Sequence, residues 1–118
     1  KVDFTPIQNY PTGGRFIVRL KQNDDTYYEV EKTHGFGTGY VKKVIQGTTV
    51  DSTACGDEFE HGVSYNVKID FSLHQTTLSG FSKPAKIDRN TAPIHVKEFE
   101  IELLQQDAYF DNIDYRSN

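Results

Sequence analysis

Arg19 and Lys21 on one candidate strand, Lys42 and Lys43 on a second, Lys68 on a third and Lys97 entering a fourth are cations in a chain that is acidic overall. Ammonium and guanidinium groups gathered on one sheet face hold carboxylates or sulfates through charge-assisted hydrogen bonds, so these residues point to an acidic polymer as ligand. The competing use is local. Glu29, Glu31, Glu98 and Glu100 occupy the same strands and can take the cations as cross-strand ion pairs, each worth little on a surface. Tyrosines add a second kind of contact, since a sugar ring stacks on an aromatic face while polar groups bind its hydroxyls. Tyr27, Tyr40, Tyr109 and Tyr115 are candidates, and the chain has no Trp.

Other clusters carry less chemistry. "GFGTG" at 35–39 has the glycines of a phosphate cradle, but a strand follows it where a helix N-terminus is needed, and no Lys-Ser/Thr pair is present. It reads as a strand connection. "CGDEFEH" at 55–61 brings together a thiol, carboxylates and an imidazole, yet matches no zinc or calcium-loop spacing, and reads as a solvated acidic loop. His34, His61, His74 and His95 are dispersed, no serine stands in a GxSxG setting, and Cys55 has no nucleophile context. No catalytic residue is assigned, and the chain reads as a non-enzyme. Cofactors are likewise unassigned, apart from a structural calcium that Asp3, Asp111 and Asp114 are able to ligate near the chain ends.

Composition bounds the remaining choices. The 118 residues fit one domain spanning 1–118, and a net charge of -4 disfavours a general nucleic-acid binder, which must neutralise many phosphates. One cysteine excludes an intrachain disulfide. No apolar run approaches the roughly 20 residues that span a bilayer, and no signal peptide is visible. Because the chain opens on Lys1 and contains no Met, it reads as a module excised from a larger protein, and it is expected to be a monomer.

The elements that must position these groups are strands. In "RFIVRLK", Phe16, Val18 and Leu20 alternate with Arg15, Ile17, Arg19 and Lys21, the period of a half-buried strand. "TYYEVEK" follows across "QNDD", which predicts a hairpin. "GYVKKVIQGTTVDS" predicts a second hairpin or a bent strand broken at Gly47, and "VSYNVKIDFS" a strand with Tyr65, Val67, Ile69 and Phe71 on one face. "QTTLS" and "AKID" are short, with an edge suggested by Pro84. "KEFEIELL" alternates strictly enough to outweigh its helix-forming residues. Turn residues recur throughout, so the predicted fold is all-β, an antiparallel β-sandwich with Phe16, Tyr65, Phe71, Phe99 and Phe110 in its core. The terminal "YFDNIDY" reads as its closing strand, with Phe110 and Ile113 both inward if the strand bulges between them.

The order of "YYEVE", "KKVIQG", "GVSYNVKID" and "YFDNIDY" resembles the motif order of jelly-roll, concanavalin-like modules attached to polysaccharide-degrading enzymes. The resemblance runs from about residue 15 to 116. It implies a non-catalytic carbohydrate-binding module that is extracellular and covalently linked to a catalytic domain acting on the plant cell wall. Lacking Trp and carrying lysines on its strands, the chain looks most like the modules that bind pectin, or homogalacturonan, through basic residues. Lys42 and Lys97 carry over best, with Arg19 and Lys43 after them, and a polyuronate would be repelled if the glutamates shared their face.

Overall fold

The computed structural model describes residues 1–7, 14–34, 39–54, 59–60, 62–80, 84–87, 92–104, 107–111 and 113–114. Among the described residues ten strands run in chain order: β1 (Val2–Ile7), β2 (Gly14–Asn23), β3 (Thr26–His34), β4 (Tyr40–Ile45), β5 (Thr48–Ala54), β6 (Tyr65–Phe71), β7 (Thr76–Ser79), β8 (Ala85–Ile87), β9 (Glu98–Leu104) and β10 (Asp107–Asp111). They form two five-stranded sheets, β10-β1-β6-β7-β8 and β5-β4-β3-β2-β9, with every pair antiparallel. The sheets pack as a β-sandwich, and the predicted fold class holds at that level.

Both predicted hairpins form. β2 and β3 pair from Gly14↔His34 to Asn23↔Thr26, and Asn23 caps the turn by accepting from the Asp25 N–H at 3.0 Å. The second is a hairpin and not a bent strand. Gln46 and Gly47 have φ of 50° and 79°, the two left-handed residues of a type I′ turn, whose twist matches that of the strands it joins. "KEFEIELL" is β9, as its alternation predicts, and β8 lies on a sheet edge after Pro84.

Alternation also selects the core. Phe16, Val18 and Leu20 of β2, Tyr28 and Val30 of β3, Val41 of β4, Val67 of β6 and Leu78 of β7 are buried between the sheets. At one end the rings of Phe4 and Phe16 stack with centroids 4.3 Å apart, Phe59 meets Phe4 edge-on at 5.4 Å, and Phe110 lies 5.6 Å from Phe4. Two expected core positions fail. Phe99 is 39% exposed at the start of edge strand β9, and Ile113 is 56% exposed beyond the end of β10. Conversely, Phe59 is fully buried although it comes from the stretch read as a solvated loop, of which 55–58 and His61 lie outside the described residues. Residues 35–38 of "GFGTG" also lie outside them. Gly39 packs so closely on the Glu31 carbonyl of β3 that a Cβ would overlap it, so this glycine serves strand packing.

Candidate functional site

The outward face of the β5-β4-β3-β2-β9 sheet gathers most of the candidate residues. Register places Arg19 level with Glu29 of β3 on one side and Glu100 of β9 on the other, and Glu29 in turn level with Lys42 of β4. One strand position along, Ile17 lies between Glu31 and Glu102, with Tyr40 next to Glu31. Toward the β2–β3 turn, Lys21 lies between Tyr27 and Glu98. Period-2 alternation on adjacent strands produces this set directly.

Arg19 is the hub. Its Nε donates to Glu29 Oε1 at 2.7 Å, and its Nη1 donates to Glu100 Oε1 and Glu102 Oε2, both at 2.6 Å. Desolvation pulls the guanidinium pKa down, but the bonds to Glu102, Glu29 and Glu100 outweigh it and hold the group more firmly charged than usual. Glu29 is the counterpart. Its side chain is 5% exposed, and it accepts from Arg19, from Tyr40 Oη at 2.7 Å and from Lys42 Nζ at 3.1 Å. Burial favours its neutral form, yet the bonds from Tyr40, Arg19 and Lys42 prevail and push the pKa below the ordinary carboxylate value. Burial first, and then the bond to Glu29, raise the Tyr40 phenol well above its usual range. Lys42 Nζ also sits 4.9 Å from the centroid of the Tyr40 ring. Farther out, Arg15 Nη1 lies 3.5 Å from Glu31, and Lys21 Nζ reaches Asp24 at 2.8 Å, Glu98 at 3.6 Å and Glu100 at 3.8 Å.

Convergence of the cations is therefore partial. Arg19, Lys21, Lys42, Tyr27 and Tyr40 share the face. Lys43 does not: as the neighbour of Lys42 it points to the opposite side of the sheet, where it is fully buried, has Asp51 of β5 as register partner and lies 5.6 Å from the Tyr28 ring. Lys68 belongs to the other sheet and pairs with Asp70 at 3.6 Å. Lys97 is exposed just before β9, its backbone N–H donating to the Lys21 carbonyl at 2.8 Å, and it has no side-chain ion pair among the described residues. The condition that the glutamates lie on the other side is also overturned, because they share the face and take up its cations.

Arg15, Glu102 and Asp24 were not foreseen as partners, although continuing the register of the two strands flanking β2 would have found the first two. Tyr109 is a β10 residue of the other sheet, and Tyr115 lies outside the described residues. For a cation, Asp3 and Asp111 face each other across β1 and β10, Asn66 Nδ2 donates to Asp3 at 2.6 Å, and Asp114 bonds through its backbone to Lys1. Among the described residues no group of three His, Cys, Asp or Glu side chains gathers to hold a metal. Comparison with family models, with curated proteins and with solved structures returns no match for the chain.

Proposed function

We propose that this β-sandwich is a non-catalytic polysaccharide-binding module of the jelly-roll kind, which keeps an attached catalytic domain of a secreted enzyme near its substrate. The observation that supports this reading is the outer face built around Arg19 and Glu29. It presents ammonium, guanidinium and carboxylate groups side by side, flanked by Tyr27 and Tyr40. Cross-strand bonds hold these groups in place before any ligand arrives, which lowers the ordering cost of binding. Glycan hydroxyls both donate and accept, and such a surface offers partners for both.

Affinity electrophoresis through gels containing homogalacturonan, alginate or neutral glucans tests the proposal. Retardation by at least one glycan is the expected result. Migration unchanged in every gel would leave the second reading, a structural or adhesive spacer, which the near-complete pairing of the cations on this face favours.

A further inference from the structure

We infer that the glycan recognised by this face is uncharged, and that it runs along β3 and β4 between Tyr40 and Tyr27. The inference rests on the polysaccharide-binding reading and names its ligand class. Its first ground is charge. Arg15, Arg19, Lys21 and Lys42 share the face with Glu29, Glu31, Glu98, Glu100 and Glu102, five carboxylates against four cations. Each of those cations already has a carboxylate within 4 Å. A polyuronate would have to displace these partners and would bring its own carboxylates against glutamates, the juxtaposition that selects against a ligand. Vicinal hydroxyls need no such exchange, because an ion pair offers one of them a donor and its neighbour an acceptor.

The path follows from the register. Tyr40 is level with Glu31 and Tyr27 lies four residues along β3 from it, a span of about 13 Å at about 3.3 Å per residue. Lys42 and Glu29 lie between them. On the β5 side the flanking residues are Ser52 and Ala54, both small and exposed, which leaves that border low. On the β9 side Glu100 and Glu102 stand beside Arg19. The two tyrosines have different duties. Tyr40 has its hydroxyl on Glu29 and Lys42 over its ring, so it braces the hub. Tyr27 makes no side-chain hydrogen bond among the described residues and is half-buried, so its ring is the one available to a sugar.

The test compares the wild type with Tyr27→Ala and with the combined Glu98→Gln, Glu100→Gln, Glu102→Gln variant, in gels containing neutral glucans, mannans or galactans and in gels containing homogalacturonan. The wild type is expected to be retarded by a neutral glycan and not by homogalacturonan, with little change between about 0.05 and 0.5 M NaCl. Tyr27→Ala is expected to weaken that binding about tenfold. The glutamine variant, which removes three carboxylates from the face and leaves Arg19 only Glu29 and Lys21 only Asp24 as ion-pair partners among the described residues, is expected to gain retardation by homogalacturonan that salt abolishes. Wild-type retardation strongest in homogalacturonan overturns the inference and leaves polysaccharide binding standing, as does unchanged neutral-glycan affinity in Tyr27→Ala. Retardation of the wild type by no glycan overturns the binding reading and the inference with it.

Discussion

Lys42 and Lys43 are chemically alike and adjacent, yet one pairs with Glu29 on the outer face and the other is enclosed between the sheets. In "YVKKVI" both faces read as one lysine among apolar or aromatic residues, so the hydrophobic pattern alone does not say which lysine is inside. Among the described residues Lys43 Nζ has no hydrogen-bond partner, and on the facing sheet the fully buried Thr76 Oγ1 of β7 has none either. Desolvation lowers the Lys43 pKa, and Asp51 only partly opposes it. Tyr28 also lies against the lysine, its own pKa raised by burial to about 12 and its hydroxyl donating to the Ser72 carbonyl. Below its lowered folded pKa, Lys43 is charged in both states. Between that value and the unfolded value of about 10.4 the unfolded chain binds more protons, so stability rises with pH across the window. Lys43→Met should therefore raise stability at pH 7 by about 1 kcal/mol, with the advantage shrinking as pH climbs through the window toward about 10.4 and levelling off above it. Urea titrations of both proteins across that range check this, and an advantage independent of pH would contradict it. Glu29 has the opposite sign. Its lowered pKa contributes stability that is present above the unfolded value and lost as pH falls through the folded one, so Glu29→Gln should cost about 2 kcal/mol at pH 7 and less in acid.

Strand identity was legible wherever alternation ran uninterrupted, as in β2, β3, β6 and β9. β1 was not. "VDFTPI" carries Pro6, which lacks the N–H that a central strand donates, and β1 does lie between β10 and β6. The sheet accommodates the proline because the β6 ladder covers only Val2 to Phe4; Pro6 pairs with Ala108 of β10, and on its other side its carbonyl accepts from the Gly62 N–H at 2.9 Å. The turn joining β4 and β5 was foreseen through Gly47, but its form rests equally on Gln46, a residue that pays for its left-handed conformation. Two bonds tie this turn to the β2–β3 hairpin, from the Gln46 N–H to Thr26 Oγ1 at 3.1 Å and from the Gly47 N–H to the Asp25 carbonyl at 2.8 Å. Gln46→Asn keeps the backbone donor and suits the type I′ turn better, so it should stabilise the protein by about 0.5 kcal/mol. Gly47→Ala places a Cβ at φ +79° and should destabilise it by about 1 kcal/mol. Thermal melts of both variants would show Tm shifts of opposite sign if the turn is as described.

At the scale of the whole molecule, turn spacing announced a sandwich but not which strands share a sheet, because that depends on pairings such as β2 with β9 and β1 with β6, far apart in sequence. The two ends of the sandwich differ. The Phe4, Phe16, Phe59 and Phe110 rings close one end, while at the other a cavity of about 70 Å³ lies between Leu20, Phe71, Phe99 and Ile101, with Ile113 and Asp114 at its margin. Stability should follow this asymmetry. Phe59 is contributed by an irregular stretch, yet its N–H donates to the Thr33 carbonyl at 3.1 Å and its ring is fully enclosed against Phe4. Phe59→Ala should cost about 3–5 kcal/mol in lost burial and residual cavity. That is a large share of the roughly 5–15 kcal/mol that holds a domain folded. Ile113→Ala, by contrast, removes a mostly exposed side chain at the open end and should stay within about 0.5 kcal/mol of the wild type. Urea denaturation decides between an aromatic clamp and an evenly shared core. A midpoint that falls sharply for Phe59→Ala with an unchanged slope, and hardly moves for Ile113→Ala, fits the clamp, whereas equal losses would mean that the open end carries as much of the fold as the closed one.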